Sequence, residues 1–191
     1  MKIDTFADKL SAIIKEKAKD KPTFIVAIDG RCASGKTTLA ELLTKRLGCQ
    51  VVHTDDFYLP KLERTEARLA EVGGHMDTEK LLAEVLTPLR EGRAARYRPY
   101  LCCTDRYGEG KEVLPSGTIV VEGSYSHHPV LKKCYDLTVF LRISPAAQAE
   151  RIRAREGERA NDFFERWIPL EERYLNAFDI EDEAKIGFNA E

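Results

Sequence analysis

Four stretches of the chain are apolar almost without interruption: Phe24 to Ile28, Gln50 to Val52, Thr118 to Val121 and Leu137 to Leu141. Strict alternation would mark strands with one wet face; unbroken runs mark strands covered on both faces, as parallel sheets are. Helical spacing fills the intervals. Thr37 to Leu47 is closed by Gly48, Thr78 to Arg90 is amphipathic, and Pro145 to Arg155 follows Ser144, a fitting cap. Upstream, Phe6, Leu10, Ile13, Ile14 and Lys17 recur at helical spacing behind Asp4-Thr5, which predicts a first helix capped there. Alternation of strand and helix predicts an α/β sandwich with a parallel central sheet. Two regions break the pattern. Lys61 to Gly74 is charge-rich and reads as a mobile helix or loop; Arg93 to Gly117 reads as a hairpin turning at Gly108-Glu109-Gly110.

Composition narrows the class. At 191 residues, 43% hydrophobic and 32% charged, the chain fits one globular domain with a real core. A formal charge of -2 argues against a nucleic-acid polymer or a membrane surface as partner. No run approaches the ~20 apolar residues that span a bilayer. Five cysteines, odd in number and without C-x-x-C spacing, predict free thiols in a reducing cytoplasm.

The strongest local signal is Gly30-Arg31-Cys32-Ala33-Ser34-Gly35-Lys36-Thr37, a full match to G-x-x-x-x-G-K-[ST] between a buried strand and a helix. Glycines let the backbone wrap closely around phosphate, and successive N–H groups at the helix start hold the anion. Gly30, Ala33, Ser34, Gly35, Lys36, Thr37 and Thr38 are therefore the expected nucleotide-binding set. Lys36 sets a cation against the outer phosphates, and the Thr37 hydroxyl suits a magnesium ion. Two carboxylates, Asp55 and Asp56, follow the second strand, and Glu122 ends the third, so three acids are expected on the rim beside this loop.

These segments resemble the phosphoribulokinase/uridine kinase family of P-loop kinases. Ile28 to Ala40 is similar to its phosphate loop, Asp55 to Tyr58 to its D-S-F-Y element, and Val120 to Gly123 to its second acidic motif. The resemblance implies a P-loop NTPase three-layer sandwich, with a hairpin insertion near 93–117 and a helical lid near 144–165. It implies ATP and Mg2+, Asp55 as general base, and Thr37, Glu122 and Asp55 around the metal. Arg151 and Arg155, four apart on one helix face, match the arginines of the family's lid. On the acceptor side it points to Asp77, Tyr100 and Tyr58, with Asp105 where uridine kinases carry a histidine. The expected partner is a small hydroxyl-bearing metabolite, first a nucleoside, with pantothenate, a phosphosugar or a non-catalytic ATP-binding role as alternatives. A homo-oligomer is left open.

Overall fold

The computed structural model describes residues 1–190. Five strands form one wholly parallel sheet: β1 (Thr23–Gly30), β2 (Gln50–His53), β3 (Gly117–Glu122), β4 (Leu137–Arg142) and β5 (Ile186–Asn189). Their spatial order is β2-β3-β1-β4-β5. The apolar runs divide by parity, as a pleat requires. Phe24, Val26 and Ile28 face a layer built from Phe6, Leu10 and Ile14 of α1 (Ile3–Ala18) and Leu39 and Leu43 of α2 (Lys36–Leu47). Ile25, Ile119 and Val121 face the opposite layer, where Leu81, Val85, Leu89 and Leu131 pack. Each of these aliphatic side chains, fully buried, contributes about 1.5–3 kcal/mol. The result is three layers, with the sheet dry on both sides.

Several local expectations shift. The first helix begins at Ile3 with Lys2 as an N-cap that makes no side-chain bond, so Asp4 lies inside the first turn. There its charge complements the helix dipole instead of capping it. Thr78 to Arg90 is helical but widens into a π turn over Leu81–Leu86, just before Pro88. Proline supplies no N–H, and a widened turn is one way a helix absorbs that gap. Lys61 to Gly74 contains a short turn at Lys61–Glu63 and a helix at Glu66–Ala70 capped by the Thr65 hydroxyl. The hairpin has two short ladders, Ala95–Tyr97 with Lys111–Val113 and Tyr100–Leu101 with Arg106–Tyr107. Its tip is at 102–105, where Asp105 has φ 54, and not at Gly108 to Gly110. Gly108 sits inside the return, its N–H donating to Pro99 O at 2.8 Å.

β5 was not anticipated. Ile186-Gly187-Phe188-Asn189 has too few apolar residues to read as a strand, yet it pairs with β4 at the sheet edge. No helix among the described residues is long and apolar enough to cross a membrane.

The register sets the site. Ile28 and His53 both stand opposite Glu122, so β1, β2 and β3 end at one rim. Gly30, with φ +146, leaves the sheet so close to β4 that a Cβ there would enter the Leu141 carbonyl. Gly123, with φ +135, likewise passes against the Thr54 side chain. Larger residues at either position would push the rim apart.

Candidate active site

The loop between β1 and α2 passes through two left-handed residues, Ala33 (φ 61) and Gly35 (φ 97), before the helix begins at Lys36. Gly35 is the N-cap and no side chain bonds to the first-turn amides. Those amides and the positive end of the helix dipole thus need an outside anion. Ser34 Oγ is buried and has no partner among the described residues, a second polar atom left open within the loop. Lys36 Nζ donates to Gly30 O at 2.6 Å and Arg31 O at 3.1 Å, so its charge rests over the loop's own carbonyls. Beneath, the buried Asp29 accepts from Gly30 N–H (2.7 Å), Tyr174 Oη (2.8 Å) and His127 N–H (2.9 Å). The residues present fit a nucleotide's phosphates.

The acidic rim divides in two. After β2 the chain makes a tight turn at Thr54–Phe57, which aims Asp55 into the same cleft as Lys36, Thr37 and Glu122. Thr37 Oγ1 donates to Glu122 Oε1 at 3.2 Å, and His53 Nδ1 lies 2.5 Å from the same oxygen. That contact pulls the His53 imidazole above its ordinary value. Asp55 is exposed, but to the water of a concave wall. Desolvation by the cleft pushes its carboxyl up, Lys36 pulls it down, and Glu122 adds to the rise. Asp56 points elsewhere: Tyr97 Oη donates to it at 2.9 Å and Lys111 Nζ at 2.7 Å. Among the described residues no three His, Cys, Asp or Glu side chains could hold a metal by themselves. Thr37 and Glu122, with Asp55 nearby, suit a magnesium ion that takes its other ligands from phosphate and water.

The cleft has a volume of about 670 Å³, ample for a small molecule. Its opposite wall comes from a long helical stretch whose ends are α3 (Pro145–Glu156) and α4 (Ile168–Ala177). Ser144 Oγ caps α3 through Ala147 N–H, as its sequence predicts. Arg151 and Arg155 share the cleft face, whereas Arg153 stacks over Phe164 at 5.1 Å. Arg151 Nη1 donates to Ala33 O at 3.1 Å, and Arg155 Nη2 approaches Cys32 Sγ at 3.5 Å. Tyr58, Tyr125, Phe163 and Trp167 line the same space. Tyr58 and Trp167 meet edge to face at 6.1 Å.

Behind this wall His75 packs against Tyr125 (4.7 Å between ring centres), Trp167 (5.8 Å) and Tyr58 (5.9 Å). Only 4% exposed, it has Nε2 without a partner among the described residues. Burial lowers its pKa to about 4, and Arg64 and Arg166 push the same way. An unfolded histidine titrates near ~6.5, so the unfolded chain binds more protons between those values. Stability should therefore fall by roughly 3 kcal/mol as pH drops from about 6.5 to about 4. Urea unfolding across that range should show His75→Phe losing this part of the slope. An unchanged slope would exclude His75 as its origin.

The structure brings Asp55, Lys36, Thr37, Thr38, Ala33, Gly35, Glu122, Tyr58, Arg151 and Arg155 to the one cleft. Three acceptor-side expectations stand apart from it. Asp77 caps the helix at Thr78, accepting from Lys80 N–H at 2.9 Å, and faces a separate groove with Tyr97 and Tyr107. Tyr100 is buried with its hydroxyl on Asp105, so the two satisfy each other at the hairpin tip. Each aspartate has a partner within its own segment, and neither lines the cleft. His127 is buried behind Asp29. Trp167 is half-buried on the cleft wall.

Residues that no motif indicates complete the site: Glu171, Ser124, Tyr125 and Arg64. Glu171 is buried in α4, with Cys32 N–H 2.9 Å from both its oxygens and Ser124 Oγ donating at 2.7 Å. Burial pushes its carboxyl up, and Lys36 pulls it back. Ser124 and Tyr125 follow directly after Glu122-Gly123, the one neighbourhood where the sequence could have flagged them.

A parallel sheet with a phosphate loop at its carboxyl edge defines the P-loop NTPase fold. Residues 26–174 match the AAA domain family, AAA_18, and the chain belongs to it. It is similar to uridine kinase-like protein 4 of Arabidopsis thaliana, at 30% identity over 62% of this chain and 27% of that protein. It thus spans about a quarter of that relative's length. A cytidylate kinase of Chlorobaculum tepidum is 27% identical over 71% of this chain and 68% of its own length. Among solved structures, that of a possible uridine kinase from Bacillus stearothermophilus superposes with a TM-score of 0.72. It covers 97% of this chain and 96% of the other at 22% identity, a likeness of fold.

Proposed function

We propose that this chain is one ATP-dependent kinase domain that transfers the γ-phosphoryl group to a hydroxyl of a small metabolite, most simply a nucleoside. The observation that carries the reading is the convergence of Lys36, Thr37, Asp55, Glu122, Arg151 and Arg155 on one cleft. A protein that only bound nucleotide would have no use for an open carboxylate facing the phosphate loop. The kinases among its relatives support the same class.

In this reading the loop amides and Lys36 hold the phosphates in line with the acceptor. Asp55 takes the proton of the attacking hydroxyl; the raised pKa that burial gives it makes it a better base than an ordinary aspartate. Magnesium, near Thr37 and Glu122, would neutralise phosphate charge. To meet charge developing on the transferred group, Arg151 turns from the Ala33 and Ala190 carbonyls, and Arg155 from the Cys32 thiol and the Glu156 carboxylate. Tyr58, Tyr125 and Trp167 offer flat faces to a planar base. All five cysteines are free, which supports a reducing, cytoplasmic setting.

One observation keeps a second acceptor class in view. Asp77, Tyr100 and Asp105 turn away from the cleft, so the polar contacts expected to read a nucleoside are not assembled there. A pantothenate-like or phosphosugar alcohol would not need them. The test is ADP release from Mg-ATP across nucleosides, pantothenate and phosphosugars. Stimulation by a nucleoside supports the first reading, and stimulation by another alcohol the second. ATP binding without turnover on any acceptor would count against a kinase.

A further inference from the structure

One residue of the phosphate loop, Cys32, has the peptides on both its sides held by buried side chains of the helices at either end of the lid. Cys32 N–H donates to both oxygens of Glu171 at 2.9 Å, and Cys32 O accepts from Gln148 Nε2 at 3.2 Å. Gln148 lies on α3 and Glu171 on α4, and each is only 4% exposed. The next residue, Ala33, is the one non-glycine in the loop with a positive φ. A left-handed alanine is strained by the clash of its Cβ with the backbone, and such a conformation persists only where its surroundings over-determine it.

The surroundings here do so. Cys32 has no backbone partner for either its N–H or its carbonyl among the loop hydrogen bonds. Deleting one of the two side chains would leave a backbone group unpaired and free the limb to relax. Arg31 adds a tether: its guanidinium bonds Glu172 at 2.6 Å and Glu181 at 2.7 Å, beyond the same lid.

We infer that Gln148 and Glu171 are positioning residues that clamp the two peptides flanking Cys32, hold Ala33 in its left-handed turn and so keep the phosphate loop in its binding shape. The inference rests on the kinase reading only in taking a nucleoside phosphate as the loop's ligand. Because the clamp arms flank the lid, lid and loop are mechanically one unit.

Two measurements test it: ADP affinity by calorimetry, and amide exchange at Cys32, Ala33 and Ser34 in nucleotide-free protein. Gln148→Ala and Glu171→Ala should each weaken ADP about tenfold and speed exchange at these amides by a similar factor. Gln148→Glu, nearly the same shape but with an acceptor facing the Cys32 carbonyl, should be at least as harmful. Glu171→Gln keeps one acceptor oxygen and should stay within about threefold of wild type. A fall in Tm for Gln148→Ala with loop exchange and ADP affinity unchanged would mean ordinary packing and would overturn the clamp. If Glu171→Ala fails to fold, the two Gln148 variants decide. Wild type that bound no ADP would instead bring down the kinase reading itself, and the clamp's purpose with it.

Discussion

Asp55→Asn should lower turnover on the best acceptor by about 10²–10⁴-fold while leaving ATP affinity within a few-fold of wild type. Asn keeps the size of the side chain and removes its ability to take a proton. Asp55 makes none of the contacts that hold the loop; those run through Glu171, Gln148, Arg151 and Lys36. Its loss should therefore appear in kcat and spare nucleotide binding. The assay is steady-state ADP release with the acceptor found in the panel, beside direct calorimetry of nucleotide binding. Turnover close to wild type would remove Asp55 from the role of base. An equal fall in affinity would recast it as part of the metal site near Thr37 and Glu122.

Lys36→Ala should be as severe, but through binding and turnover together. The ammonium stands at the loop's mouth, 2.6 Å from Gly30 O, and in the proposed reading it leaves that carbonyl to meet the outer phosphates. Removing one preorganised donor of this kind costs about 10²–10³ in rate. Loss of its charge also leaves Asp55 and Glu171 without the neighbour that pulls both carboxyls down. The two acids would then hold their protons to higher pH, so residual activity in Lys36→Ala should have its acid limb moved upward. A pH–rate profile checks this. A limb that stays in place, or a rate that barely changes, would mean that Lys36 does not act on this cleft.

The two variants separate the halves of the site, and those halves were unequally legible. The phosphate loop is a contiguous eight-residue pattern whose geometry follows from glycine, strand end and helix start, all local. Asp55 and Glu122 could be read because both stand at the ends of buried strands, and parallel strands bring their ends to one rim. The acceptor side resisted for the opposite reason. Tyr100 and Asp105, five residues apart, bond to each other, a pairing that spacing alone does not reveal. Asp77 spends its carboxylate on a helix cap, a role common to any aspartate before a helical run. Glu171 sits in an unremarkable Glu-Glu-Arg stretch, and its meaning comes from Cys32, 139 residues away.

The sequence by itself determined the alternation of strand and helix, the parallel central sheet and the place of the phosphate loop. Unbroken apolar runs and glycine spacing impose these through local sterics and burial on both faces. Only the tertiary structure decided that β5 closes the edge, that His75 is held neutral behind an aromatic wall, and that Gln148 and Glu171 meet at Cys32. Those outcomes depend on which distant surfaces share a hydrogen bond or exclude the same water, and no window of the chain contains both partners.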